Sequence, residues 1–178
     1  MLALNDLYLR IKNEHIVFSP PDVRVEGGDV LLNNEHIFIG YSEDKDFQKH
    51  IVSRTNKNAI SFIQKLFPNK NVVGFELNKS DIDARKNALH LDCCFQPIGS
   101  NKAILYKKGF KHKKDINFLV NYFGEENIIE IDTEEMYNMN SNVFSLSEKI
   151  IVSDKSFTRL NLRLKELGFV LSLIHISE

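Results

Sequence analysis

Apolar positions along this chain change their period repeatedly, and the changes mark out its elements. Leu4, Leu7, Tyr8 and Ile11 recur every three or four residues, which predicts a helix over residues 1–13. The run His15-Ile16-Val17-Phe18 reads as a strand that Pro20-Pro21 ends. Val30-Leu31-Leu32 and His36–Gly40 read as two strands of a hairpin turned at Asn33-Asn34. A helix near residues 56–67 presents Ala59, Ile60, Phe62, Ile63, Leu66 and Phe67 on one face, stops at Pro68-Asn69, and leads into a strand over 72–77. The same order then recurs. His90–Gln96 and Ala103–Tyr106 read as a hairpin through Gly99-Ser100-Asn101, followed by a helix near 113–123 and a strand at 128–131. A third pass has strands at 142–146 and 149–152, a helix near 156–167 stopped by Gly168, and a strand from Phe169. The pattern predicts an α/β chain of three strand-strand-helix-strand units preceded by a helix-strand remnant, a repeat of pattern rather than of letters.

Length suits one domain with a sizeable core, at 178 residues. A formal net charge of −1 gives no global basic field for nucleic acid or an anionic membrane. The longest apolar runs are far short of a membrane span, and a cytoplasmic setting is expected. Cys93 and Cys94 are the two cysteines, and their adjacency suits neither a zinc knuckle nor a mutual disulfide. No metal site and no cofactor is expected. Thirteen Phe with no Trp is a bias without a functional reading at this level.

The candidate chemistry centres on His90-Leu91-Asp92-Cys93-Cys94-Phe95-Gln96-Pro97. As a strand it would place His90, Asp92, Cys94 and Gln96 on one face and Leu91, Cys93 and Phe95 on the other. His90 and Asp92 would then stand roughly 6.5 Å apart along the strand. They read either as a satisfied core histidine beside a strand-end carboxylate, or as an acid/base group with a carboxylate beside it. Cys94 would lie roughly 13 Å from His90, too far to pass it a proton, so both cysteines are expected to be buried and inert. Glu26-Gly27-Gly28-Asp29 reads either as a bulge or turn entering the hairpin, or as a place of close approach for a ligand. Taken with Glu26, the His90/Asp92 pair suits general acid/base work on a cationic group such as a guanidinium, which carboxylates grip in pairs. Arg54, in Ser53-Arg54-Thr55-Asn56, reads either as a holder of a substrate carboxylate or as a plain surface arginine. Residues 136–142 read as a structured loop, and the lysine-rich stretch 107–114 as a solvated hairpin end and helix start.

Together these stretches resemble the guanidine-modifying (pentein) superfamily of arginine deiminases, dimethylarginine dimethylaminohydrolases and amidinotransferases. The resemblance is carried by residues 25–30, 54–56, 87–99 and 135–143, and it runs from about Leu4 to Phe169. It implies a five-bladed α/β propeller of ββαβ units, of which about three and a half are present. It also implies a small-molecule, arginine-like guanidine substrate attacked by a Cys thiolate, with water resolving the covalent adduct. His90 would be the general acid/base, oriented by Glu26, while Asp92 grips the guanidinium and Arg54 contacts the substrate carboxylate. An amidinotransferase would use the same site with an amine acceptor, and a non-catalytic propeller-type binding protein is the reading from a different class. The departures are also plain. The family's nucleophilic Cys near the C-terminus has no counterpart after Cys94, and the family carboxylate on the first hairpin of the first unit, which should precede the Glu-Gly-Gly-Asp stretch, has none either. Residues 172–178 do not resemble the family continuation and look like translated sequencing-adapter read-through. The expectation is a single domain over residues 1–171, a fragment of a longer enzyme lacking both ends and inactive by itself.

Overall fold

A computed structural model describes residues 16–174 of the chain. The helix expected over residues 1–13 lies outside them. Residues 16–18 form no strand: Val17 and Phe18 are exposed, Phe18 to 87%. A strand needs a neighbour to satisfy its amides and a surface on which to bury alternate side chains, and among the described residues this run has neither.

Three three-stranded sheets follow in sequence, each built the same way. In the first, β1 (Val30–Asn33) and β2 (His36–Tyr41) form a hairpin turned at Asn34-Glu35, and β3 (Asn71–Glu76) pairs parallel with β2. The second has β4 (Phe95–Ile98) antiparallel to β5 (Lys102–Leu105), with β6 (Ile128–Glu130) parallel to β5. The third has β7 (Phe144–Ser145), β8 (Ile150–Asp154) and β9 (Val170–Ile174) in the same relation. Pro97 in β4 is tolerated because that strand is an edge and owes no second ladder. β9 continues through Ile174, so Ser172, Leu173 and Ile174 pair with Val152, Ser153 and Asp154.

Each parallel pair needs a crossover, and a helix supplies it. In the three units these are α2 (Asn58–Leu66), α3 (Lys113–Phe123) and α5 (Thr158–Glu166). Two shorter helices, α1 (Asp44–Lys49) and α4 (Thr133–Tyr137), were not expected. Both start with capping boxes, Glu43 with Asp46 and Asp132 with Glu135.

β2 shows how one strand serves two packings. Ile37 and Ile39 point to α2 and join Val23, Ala59 and Ile63 in a small core. Phe38, on the opposite face, enters the main core, which runs through the second and third units to Ile151, Leu160 and Leu164. The sheets are therefore covered by their own helix on one side and by the neighbouring unit on the other. The phenylalanine bias finds its use here. Phe38 meets Phe95 edge-on at 5.4 Å between ring centroids, and Phe75 meets Phe110 the same way at 5.7 Å. Such pairs contribute about 0.5–1.5 kcal/mol each beyond the area they bury. The first and second units are welded largely by aromatic contacts.

Charge adds a second weld. Lys111 Nζ lies 2.6 Å from Glu76 and 3.1 Å from Asp46, both carboxylates being buried, while His112 Nε2 meets the other Glu76 oxygen at 2.7 Å. The lysine-rich stretch is thus not simply solvated, because Lys111 is drawn inward by two acids from the first unit. Among the described residues no helix is long and apolar enough to cross a membrane.

Candidate functional site

Two short 3₁₀ turns from different units face each other: Gly27–Asp29, entering β1, and Leu91–Cys93, entering β4. The strand expected over His90–Gln96 begins only at Phe95. Its first half is bent because the Asp29 carboxylate accepts the Leu91 amide at 2.9 Å, a bond a sheet neighbour would otherwise make. The change of geometry reassigns the side chains. With about three residues per turn, His90 and Cys93 come to one side, and Cys94 drops into the main core beneath them. The expected faces of the two cysteines are thus exchanged.

The turns can approach this closely because of two glycines. A Cβ on Gly28 would stand 2.9 Å from Asp92 Oδ2 and 3.0 Å from His90 Cβ. One on Gly40, in β2, would stand 2.6 Å from Asp29 Oδ1 and 2.8 Å from Leu91 Cβ. At Gly27 a Cβ would meet nothing within 4 Å. The Glu-Gly-Gly-Asp stretch is therefore both the turn entering the hairpin and a point of close approach, with Gly28 as the residue that matters.

His90 and Glu26 are brought together, with Nε2 of the imidazole 2.7 Å from Glu26 Oε2. A carboxylate only accepts, so Nε2 carries the proton of this bond and Nδ1 is left over. Asp92 is half-buried, and burial raises its carboxyl above the usual range while His90 opposes the shift. Its backbone carbonyl accepts from the buried Ser141 hydroxyl at 2.7 Å, so the loop after α4 backs the turn. Of the loop expected over residues 136–142, Met136 and Tyr137 end α4 and only 138–142 lie in the loop. Asp92 also lines an open cavity of about 760 Å³, together with residues of β1, β4, β7 and β8. The first strand of every unit therefore borders one common space.

Arg54 is not brought to this group. Its side chain is exposed and, among the described residues, forms no hydrogen bond or ion pair with Glu26, His90 or Asp92. The neighbours of Arg54 are the ones engaged. Thr55 Oγ1 accepts the Glu26 amide at 3.0 Å, Asn56 Oδ1 accepts the Arg24 amide at 3.0 Å, and Asn56 Nδ2 donates to the Asp22 carbonyl at 2.8 Å. These bonds strap the segment carrying Glu26 to the sheet.

Asp29 and Lys79 are the members that sequence reasoning missed. Burial raises the Asp29 carboxyl, opposed by the Thr55 hydroxyl and the Lys79 charge. Burial likewise pushes the Lys79 ammonium down, opposed by Asp29. Lys79 Nζ donates to the carbonyls of Ala88 and Leu89, both at 2.7 Å, and so fixes the chain just before His90. The available signal was Asp29 itself, a carboxylate in a Gly-Gly-Asp run leading straight into an apolar strand.

Both cysteines are buried, as expected, and burial pushes the Cys93 thiol up to about 11 and Cys94 further still. Neither is a thiolate near neutrality. Cys93 nevertheless sits against the site, its Sγ 3.6 Å from Asp92 Oδ1.

Comparison with known proteins places this arrangement. Residues 7–167 match the family model described as N,N dimethylarginine dimethylhydrolase, eukaryotic. A curated relative, the uncharacterized protein YkgA of Bacillus subtilis, is 26% identical over 157 residues, which is 88% of this chain and 48% of that protein. Among solved structures, the substrate-bound N-terminal domain of ArgZ, an arginine dihydrolase of cyanobacteria, superposes with a TM-score of 0.71 at 23% identity, over 88% of this chain and 52% of that one. DDAH from Pseudomonas aeruginosa, a mutant complexed with citrulline, gives 0.70 at 17% identity over 98% and 58%. The chain spans about half the length of these relatives. The twin turns carrying Glu26 and His90-Leu91-Asp92, on sheets that superpose with these structures, lie inside the matched region, and the chain belongs to the N,N-dimethylarginine dimethylhydrolase family of the guanidine-modifying (pentein) superfamily.

Proposed function

We propose that this chain carries half of the active site of a hydrolase that cleaves a C–N bond of the guanidinium group of arginine or an arginine derivative. The observation that carries the reading is the His90–Glu26 contact at 2.7 Å with Asp92 beside it, half-buried and open to the cavity. In this reading Asp92 grips the guanidinium nitrogens through paired charge-assisted hydrogen bonds. Glu26 orients the imidazole through Nε2, and His90 gives a proton to the departing amine and then takes one from the attacking water. A thiolate forms the bond to the guanidinium carbon as the amine leaves, and water then replaces the sulfur to give the ureido product. Support for a covalent route comes from a relative, an ArgZ variant described as covalently bonded to a reaction intermediate.

The nucleophile is assigned to a residue outside these 178, because Cys94 is sealed in the core and Cys93 is held neutral. The three sheets are read as three blades of a five-bladed propeller whose central space is the shared cavity. Arg54 is kept as a contact for the substrate carboxylate in the assembled site.

Ligand titration by NMR tests the reading on the chain itself. L-Arginine, dimethylarginine or citrulline is expected to shift the His90 ring and Asp92 amide signals, and Asp92→Ala to abolish the response. No shift at either residue with any of the three overturns it. The chain alone is expected to release no citrulline from arginine, and release that His90→Ala abolishes would overturn the assignment of the nucleophile.

A further inference from the structure

We propose that the cavity between Lys79 and Lys108, about 590 Å³ in volume, is a binding site for a phosphoryl group, free or carried on a small molecule. It shares no lining residue with the cavity that Asp92 borders, so the site goes beyond the guanidine reading and stands without it.

The charge of this lining departs from that of the chain. Lys79, Arg85, Lys86 and Lys108 line it with one carboxylate, Asp83, whereas the chain as a whole carries −1. The cations come from three stretches: the segment after β3, the 3₁₀ turn Ala84–Lys86 and the 3₁₀ turn Lys107–Gly109. Asn78 ties the first to the third, its Nδ2 donating to the carbonyls of Lys108 at 2.9 Å and Phe110 at 3.1 Å. Neutral bonds thus gather the cations, and their mutual repulsion is left for an anion to relieve.

The donors that remain select the anion. Asp83 is engaged, with Oδ2 3.2 Å from Lys86 Nζ and Oδ1 accepting the Arg85 amide at 3.1 Å. The Arg85 guanidinium is engaged as well, forked onto Glu134 at 2.6 Å and 3.0 Å. Lys79 Nζ donates to the carbonyls of Ala88 and Leu89 and has a further N–H to give. The Lys108 ammonium, among the described residues, makes no hydrogen bond or ion pair. Ser80 Oγ accepts the Asp83 amide at 3.1 Å and keeps its own proton. The hydroxyls of Tyr106 and Thr133 stand 3.1 Å apart, so whichever donates, the proton of the other is spare. A planar carboxylate is best met by an arginine fork, and here that fork is taken. Ammonium and hydroxyl donors arriving from several directions suit a tetrahedral oxyanion with several strong acceptor oxygens. The volume lies in the range of small-molecule sites, so there is room for a molecule that carries the phosphoryl group.

Titration of the purified chain with pyrophosphate and with ADP, followed by NMR and calorimetry, tests the site. Pyrophosphate is expected to give saturable shifts of the Ser80, Lys108 and Thr133 signals. ADP binding as tightly as pyrophosphate assigns recognition to the phosphoryl groups alone, and tighter binding of ADP assigns it to a carried phosphoryl group. Lys108→Glu, checked by circular dichroism, is expected to weaken pyrophosphate binding at least about tenfold. Lys149→Glu makes the same change of charge in the third hairpin and is expected to stay within about twofold, since distant exposed charges are screened. Citrate is expected to bind more weakly than pyrophosphate. No saturable shift with either phosphoryl probe overturns the proposal, as do equal losses in Lys108→Glu and Lys149→Glu or citrate binding as tightly as pyrophosphate.

Discussion

Asp29 and Leu91 are joined by a hydrogen bond of 2.9 Å from a backbone amide to a buried carboxylate, across 62 positions of sequence. Through it the turn that carries Glu26 and the turn that carries His90 share one reference point. Asp29→Ala should leave the Leu91 amide buried without a partner, at a cost of about 1–3 kcal/mol in urea unfolding. Asp29→Asn keeps an acceptor and should retain most of the stability. The two also differ with pH. Burial raises the folded carboxyl above its ordinary 3.8, so the folded state binds this proton more tightly than the unfolded chain. Stability then falls as pH rises through the window above 3.8, and Asp29→Asn should remove that fall.

The two glycines between the carboxylates should respond oppositely to a methyl group. Gly28→Ala pushes a Cβ onto Asp92 and His90, and overpacking of this kind costs about 1–3 kcal/mol. Gly27→Ala meets nothing and should stay within about 0.5 kcal/mol of the parent. Denaturation midpoints of the two variants, compared under one set of conditions, check this. Equal losses would place the close approach elsewhere.

Lys111 neutralises two buried carboxylates at once. Lys111→Met should remove the cation that Asp46 and Glu76 share and leave Glu76 with His112 alone. Because the Lys111 side chain is 31% exposed, the loss should fall short of that for a fully buried pair with one partner removed, about 3–5 kcal/mol. Burial raises the Glu76 carboxyl, but the bonds from Lys111 and His112 outweigh it, and the net position is below the ordinary 4.5. A depressed carboxylate contributes stability that is present above 4.5 and is lost as pH falls below it. Acid unfolding of Glu76→Gln should therefore be less steep below pH 4.5 than that of the parent.

Thiol labelling should separate the cysteines by layer. Burial holds Cys93 at about 11, so alkylation at pH 7 should be slow and should quicken as pH rises. Cys94 should stay protected until urea unfolds the chain. Fast labelling of Cys94 in the folded state would contradict its place in the core.

Regular periodicity was legible wherever it faced a core. The helix expected near 113–123 spans Lys113–Phe123, where Leu119 and Phe123 are buried and Gly124 ends it. The His90–Gln96 stretch was misread because its conformation is dictated from 62 residues away, by Asp29. Alternation of polar and apolar letters satisfies a 3₁₀ turn as readily as a strand when one side is buried. Thr55 and Asn56 were in a recognised motif, but their work is to bond backbone in another segment, which letters do not disclose. That Glu26 and His90 would meet was suggested by charges with no role on an ordinary solvent face, and the two lie 2.7 Å apart. The short helices α1 and α4 carried their own capping signals, visible as Glu43/Asp46 and Asp132/Glu135, and could have been found from those.

The His90–Glu26 contact spans 64 positions and exists only where two units touch. Neither hairpin can form it alone, so loop closure must precede any gain from it. The imidazole is thus a built-in clock hand for assembly: its environment should change with the last kinetic phase of refolding, after the sheets themselves have formed. Glu26→Gln should accordingly leave the refolding rate nearly unaltered and show its effect in the unfolding limb.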